Sequence, residues 1–133
     1  MKKISFFIIF ISIFYINITY ANFFSKKIIS NPDLLVNYFS DEIFVSIKST
    51  NLNIKGKIYS KNQAKFIFMN FLKKYKFNKI KDSKIIEGDN KVEKIILEAV
   101  DLKRNKQCSL SFKIFFIKDK DYIINKIIIL QSV

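Results

Sequence analysis

The sequence predicts one α+β domain behind an N-terminal export segment, and three observations carry that reading. Hydrophobic periodicity gives a helix, a helix or loop, a strand, a further helix and then four strands. Strands that follow helices in runs point to α+β rather than to a doubly wound parallel sheet. Half of the 133 residues are apolar and 16% are aromatic, which is enough for one core and excludes disorder throughout. Two glycines and one proline exclude collagen-like and low-complexity chains.

Residues 1–21, MKKISFFIIFISIFYINITYA, have the layout of a signal peptide. Lys2 and Lys3 form the basic start, and Ile4 to Ile18 is an apolar stretch broken only by Ser5, Ser12 and Asn17. A membrane span needs roughly 20 apolar residues, whereas a signal core needs about 7–15. Thr19 and Ala21 place small residues before a cut between Ala21 and Asn22. The alternative is an uncleaved anchor, because the Phe and Ile content would also hold a helix in lipid. No Cys follows the apolar stretch, so lipid attachment of the bacterial lipoprotein kind has no support. The domain is expected over residues 22–133, exported across the inner membrane to a periplasmic or secreted location, with no stable transmembrane span after processing.

Within 22–133 the elements follow from caps and spacing. Asn31-Pro32 suits a helix N-cap and first turn, since proline lacks a donor that the first turn leaves unused. Leu34, Leu35, Tyr38 and Phe39 give its short apolar stripe. Ile43, Val45 and Ile47 alternate as a strand, and Asn51 to Lys57 reads as a loop or short edge strand. Ser60-Lys61-Asn62-Gln63 is a capping box. Behind it Ala64, Ile67, Phe68, Phe71, Leu72 and Tyr75 recur with the clearest helical period in the chain, giving one buried face. Strands are expected over 77–86, 92–100, 107–117 and 122–130, with a turn at Gly88-Asp89-Asn90 and another over 118–121.

A tight turn over 118–121 pairs Ile117 with Tyr122. That register puts Leu110, Phe112, Ile114 and Phe116 on one face with Ile123, Asn125, Ile127 and Ile129. This is the expected core face, with Asn125 as its only polar side chain and hence the guess for a ligand pocket. The other face carries Phe115, Ile117, Ile124, Ile128 and Leu130, with Lys113 opposite Lys126. Like charges directly opposite are unfavourable, so that spot should be wet. A bulge would shift the assignment by one residue. The apolar residues of this outer face suggest a homodimer, with any contact kept away from the lysine pair.

The segment YSKNQAKFIFMNFLKKY, with NPDLLVNYFSDEIFVSI before it and SLSFKIFFIKDKDYIINKIII at the end, resembles an uncharacterised family of exported Bacteroidetes proteins, DUF4783. The resemblance covers most of residues 28–131. It implies a nuclear transport factor 2-like (cystatin-like) cone, a curved and mostly antiparallel sheet packed on one long helix. Many members carry His-x-Gly in the strand after that helix. This chain has Asp82-Ser83-Lys84 near there and no His, so no role of that histidine carries over. Cone folds host enzymes, binders and inert modules alike, so the resemblance implies no activity.

The chemistry on offer is narrow. With one Cys and no His there is no disulfide framework, no thiol–imidazole pair and no ordinary zinc site. Cys108 is expected to be a buried or half-buried structural residue. No metal-ligand spacing and no Gly-rich phosphate loop occurs, so neither a metal nor another cofactor is expected. Catalysis is not expected either: without His, acid–base work needs an environment-shifted carboxylate, and most carboxylates flank turns or strand ends. Asp82 and Glu98 stay in reserve on the condition that one is buried. The formal charge is +13, yet Ile, Lys, Phe and Asn make up 76 of 133 residues, and AT-rich codons encode all four. Base-composition drift therefore accounts for much of the basicity, and Arg104 is the only arginine left. The best basic feature is Lys73, Lys74, Lys76, Lys79, Lys81 and Lys84, interleaved with Tyr75 and Phe77. It suits weak contact with an anionic envelope surface, since an exported protein seldom meets nucleic acid. The expected function is that of an exported, non-enzymatic module that binds a small ligand or an envelope partner. The alternatives are a cone-fold enzyme using a buried carboxylate, or an interaction protein that dimerises through its sheet.

Overall fold

Residues 23–88, 91–118 and 120–132 are described by a computed structural model. Residues 1–22, which include the expected export segment, and Asp89-Asn90, Asp119 and Val133 lie outside those residues. Helix α1 spans Phe23–Ser30, a 3-10 helix spans Pro32–Tyr38, and strands β1 (Phe39–Lys48) and β2 (Asn53–Ser60) follow. Helix α2 (Lys61–Leu72) leads into β3 (Tyr75–Ile86), β4 (Lys91–Asp101), β5 (Lys106–Lys118) and β6 (Tyr122–Ser132). The strands form one six-stranded sheet in the order β2-β1-β6-β5-β4-β3. Strands β1 and β6 run parallel and every other neighbouring pair is antiparallel. The α+β class therefore holds, as a mixed sheet.

The core lies between one sheet face and the helices. Ile43, Val45 and Ile47 of β1, Ile95, Leu97 and Ala99 of β4, Leu110, Phe112, Ile114 and Phe116 of β5, and Ile124, Ile127 and Ile129 of β6 are all buried in one cluster. Phe24, Ile28, Leu35, Ala64, Phe68 and Phe71 close it from the helix side. The capping box of α2 forms as its sequence dictates: the Gln63 N–H donates to Ser60 Oγ and the Ser60 N–H donates to Gln63 Oε1, each at 3.3 Å. Helix α2 stops at Leu72, so Tyr75 does not continue its stripe. Tyr75 instead opens β3, where it is buried opposite Asp101.

Two elements differ from expectation. The Asn31-Pro32 start makes a 3-10 helix with no side-chain cap. Three residues per turn set Leu35 and Tyr38 on one face, and a short run that must enter β1 at Phe39 has no room for a longer helix. Helix α1 has no counterpart in the expected elements. Its signal is one i, i+4 pair, Phe24 and Ile28, and eight residues are too few to be stable without tertiary partners. Those partners are aromatic: Phe23 stacks on Tyr122 at 3.8 Å, and Phe24 meets Phe116 edge-on at 5.1 Å.

The closing hairpin carries the main correction. Lys118 pairs with Tyr122 and Ile117 with Ile123, and a bulge at Asn125 then shifts the register so that Phe115 pairs with Lys126. Ahead of the bulge the core face is even-numbered, with Ile124 0% exposed and Ile123 40% exposed. Behind it the odd residues Ile127 and Ile129 point inward. Asn125 is thus the extra, half-buried residue of a bulge, not a polar side chain set into the core. Lys113 lies opposite Ile128 on one side and Lys94 on the other, not opposite Lys126. Lys126 instead lies over the rings of Phe44 at 5.0 Å and Phe115 at 4.8 Å, a cation–π arrangement.

Candidate functional site

Several strand ends converge at one end of the sheet, and the polar residues there form a connected network. Asp101 ends β4, Thr50 and Asn51 make the β1–β2 turn, Tyr75 opens β3 and Gln131 lies near the end of β6. Asp101 is 3% exposed. Its Oδ1 accepts from Asn51 Nδ2 at 2.6 Å and from the N–H groups of Lys103 and Arg104 at 3.0 and 3.1 Å. Its Oδ2 accepts from Arg104 Nη1 at 3.1 Å. The same Nη1 also donates to Asn51 Oδ1 at 2.9 Å, so one arginine ties the β4–β5 turn to the β1–β2 turn. Asn105 completes the β4–β5 turn at φ 55°, a left-handed conformation that Asn tolerates.

Gln131 Oε1 is the second hub. It accepts from Tyr75 OH at 2.7 Å and from the Thr50 N–H at 2.9 Å. Thr50 Oγ1 lies 2.9 Å from Gln131 Oε1 and 3.3 Å from Asp101 Oδ2, and its single proton can serve only one of them at a time. The hydrogen bond from Asn51, supported by those from Arg104 and Lys103, outweighs burial and holds the Asp101 carboxyl well below the usual carboxylate range. Asp101 is therefore a fixed anion that organises the two turns.

Beside this network opens a cleft of about 410 Å³. Lys48 and Ser49 line it from the end of β1, Arg104, Lys106 and Cys108 from the β4–β5 hairpin, and Gln131 and Ser132 from β6. Three cations, Lys48, Arg104 and Lys106, thus face one carboxylate, Asp101. Burial, and behind it the Asp101 charge, pushes the Cys108 thiol up, so this half-buried cysteine is a weak nucleophile.

The other expected site residues lie elsewhere. Asn125 is not among the lining residues of the cleft. Lys76, Lys79, Lys81 and Lys84 are exposed along β3, an edge strand, while exposed Lys73 and half-buried Lys74 precede it. Lys76 to Lys84 covers roughly 25 Å of strand, well beyond the roughly 8 Å over which exposed charges act together at physiological salt. Lys79 and Lys81 each lie 3.7 Å from a Glu98 carboxylate oxygen. Asp82 is exposed and Glu98 is half-buried, so neither meets the condition of burial. Among the described residues the buried carboxylates are Asp101 and Glu93, the latter 0% exposed inside the core. Sequence reasoning had one signal for the network and left it unused: Arg104, the sole arginine in a lysine-rich chain, is where a fork of donors is needed rather than a point charge.

The fold and site together define an α+β module with a six-stranded mixed sheet, helices on one face and a cationic cleft at one sheet end. Solved structures of this fold come from DUF4783 family proteins. One, from Bacteroides uniformis, aligns over 77% of this chain and 87% of its own with 19% identity and a TM-score of 0.60. Another, from Bacteroides fragilis, aligns over 77% of this chain and 88% of its own with 16% identity and a TM-score of 0.57. The resemblance drawn from the α2 motif and the closing hairpin therefore stands at the level of the fold. No family model matches the chain, and no curated protein is similar to it in sequence.

Proposed function

We propose that the chain is an exported, non-enzymatic DUF4783 module of the nuclear transport factor 2-like kind, which binds a small organic anion in the cleft beside Asp101. The observation that carries this reading is the excess of cations in that cleft: Lys48, Arg104 and Lys106 against one carboxylate. A cleft of about 410 Å³ lies in the range of small-molecule sites, which run from roughly 300 to 1,000 Å³. The network around Asp101 holds Arg104 in place, so its guanidinium is positioned before a ligand arrives, which lowers the ordering cost of binding. The methylene stems of Lys48 and Lys106 and the Cys108 sulfur supply an apolar wall, which favours an organic anion over a bare inorganic ion.

The arrangement speaks against catalysis. The carboxylate at the cleft is saturated with donors and held ionised, and the thiol is held protonated. The carboxyl group that titrates near neutrality, Glu93, is sealed in the core eight residues back along β4, roughly 25 Å away. Thermal unfolding of the exported protein with hexanoate, phenyl phosphate or sodium chloride at equal ionic strength tests the reading. The organic anions should raise the melting temperature where chloride does not, and Lys106→Gln should abolish that rise. Equal shifts from all three salts would remove the binding site.

A further inference from the structure

The face of the sheet turned away from the core is patterned by register. Ile86 of β3, Val92 of β4, Phe115 of β5, Lys126 of β6, Phe44 of β1 and Ile58 of β2 pair strand by strand. They form one row across all six strands, about 24 Å long at about 4.8 Å per strand. The next row, two residues along, is Lys84, Lys94, Lys113 and Ile128. Lys126 stands diagonally from Lys113, so lysines of four neighbouring strands gather in one patch. Neighbours across strands are closer than the roughly 8 Å of screening at physiological salt, so these charges act together. Like charges directly opposite are destabilising, yet two such pairs follow one another here, Lys84 with Lys94 and Lys94 with Lys113. Base composition sets how many lysines the chain has, not which of them meet across strands. Lys126 lies over the rings of Phe44 and Phe115. Gly56 makes room for the first ring, since a Cβ there would stand 2.8 Å from Phe44 Cζ. At the two ends of the apolar row, Ile58 is 64% exposed and Ile86 49%.

We propose that this face docks on an anionic phospholipid surface, with the lysine patch on the headgroup phosphates and the row-end isoleucines in the acyl boundary. The charge complementarity is local: Asp82 stands two residues from Lys84 on the edge strand, so the three inner lysines, Lys94, Lys113 and Lys126, carry it. A layer of phosphates relieves the repulsion between Lys94 and Lys113. Each lysine brought to such a surface strengthens binding by roughly fivefold. Interfacial binding grows with buried apolar area as well as with charge, and this face offers both in adjacent rows. A nucleic acid strand fits less well. Isoleucine has no π face for a base, Lys126 already lies over the two phenylalanine rings, and the only arginine, Arg104, stands in the cleft. The inference rests on the sheet face and not on the anion cleft.

Co-sedimentation of the exported protein with vesicles of equal parts phosphatidylglycerol and phosphatidylcholine, or of phosphatidylcholine alone, tests it. Binding should need the anionic lipid and disappear in molar salt. Lys94→Gln with Lys113→Gln should weaken it about 25-fold. Lys61→Gln with Lys65→Gln removes the same charge from α2, on the other side of the sheet, and should change it far less. The first pair of substitutions removes a like-charge contact, so its melting temperature should not fall and the loss is read on a folded protein. Ile58→Ser with Ile86→Ser should weaken vesicle binding several-fold and leave retention on immobilised heparin unchanged. Equal losses from the two lysine pairs would reduce the effect to net charge and overturn the docking face. Equal binding to phosphatidylcholine alone, or vesicle binding untouched by the isoleucine pair, would overturn it as well. A single-stranded oligonucleotide that strips the protein from vesicles and binds with the same lysine dependence would overturn the lipid assignment.

Discussion

Two buried carboxylates near the ends of β4 respond to pH in opposite directions. Asp101 is held ionised by its donors, so it stabilises the fold at and above neutrality, and that contribution is lost only as pH falls below the ordinary Asp range. Glu93 has a folded pKa raised from 4.5 to about 7, so the folded state binds the proton more tightly than the unfolded state. Its contribution is complete below 4.5, falls as pH rises from 4.5 to about 7, and is level above that. The denaturant midpoint should therefore drop between pH 5 and pH 8, and Glu93→Gln should flatten that slope. Asp101→Ala should lower the midpoint at every pH from 5 to 8, because it strips partners from Asn51, Arg104 and the Lys103 N–H at once.

At the scale of elements, α2 is the support of the fold. Phe71 is 0% exposed and its ring meets Tyr75, Phe77 and Phe112. Phe71→Ala should cost about 3–5 kcal/mol by loss of burial and creation of a cavity, enough to unfold many domains of this size. Ser60→Ala removes one arm of the capping box and should cost about 1 kcal/mol. Equilibrium denaturation measures both, and the ratio between them separates packing from capping. The edge strand β3 belongs to this scale too. Bulges at Asn78 and Lys81 turn its ladder, and its exposed lysines discourage pairing with another chain. Because those lysines are strung along the strand, their adhesion to anionic vesicles should be weak, and molar salt should abolish it. Vesicle co-sedimentation in low and high salt reads that outcome.

For the whole molecule, the outer face of the sheet limits self-association. Lys94 and Lys113 pair directly across β4 and β5, and Lys126 lies between aromatic rings nearby. Burying these cations without partners would be costly. The exposed apolar residues on this face lie towards its margins, at Ile58 and Ile86 on the edge strands and at Ile117, Ile123 and Leu130 near strand ends. A dimer formed through the sheet should therefore use its margins. Sedimentation at micromolar concentration should show Ile123→Lys removing whatever dimer the wild type forms, while Lys113→Gln strengthens it.

The sequence by itself determined what depends on local spacing. The Ser60 cap and its apolar stripe specify α2, the alternation of Ile43, Val45 and Ile47 specifies β1, and the run of later strands specifies α+β. These signals lie within one turn or one strand, so no distant residue is needed to read them. Everything that depends on distant partners was decided by tertiary structure. Helix α1 exists because Glu93, 68 residues beyond Ser25, caps it and aromatic rings cover it. The bulge at Asn125 keeps Ile124, Ile127 and Ile129 all facing the core, which a strict two-residue period cannot do. The cleft brings together strand ends 81 residues apart, as at Thr50 and Gln131, and each of its polar residues looks like an ordinary turn residue until the sheet is assembled.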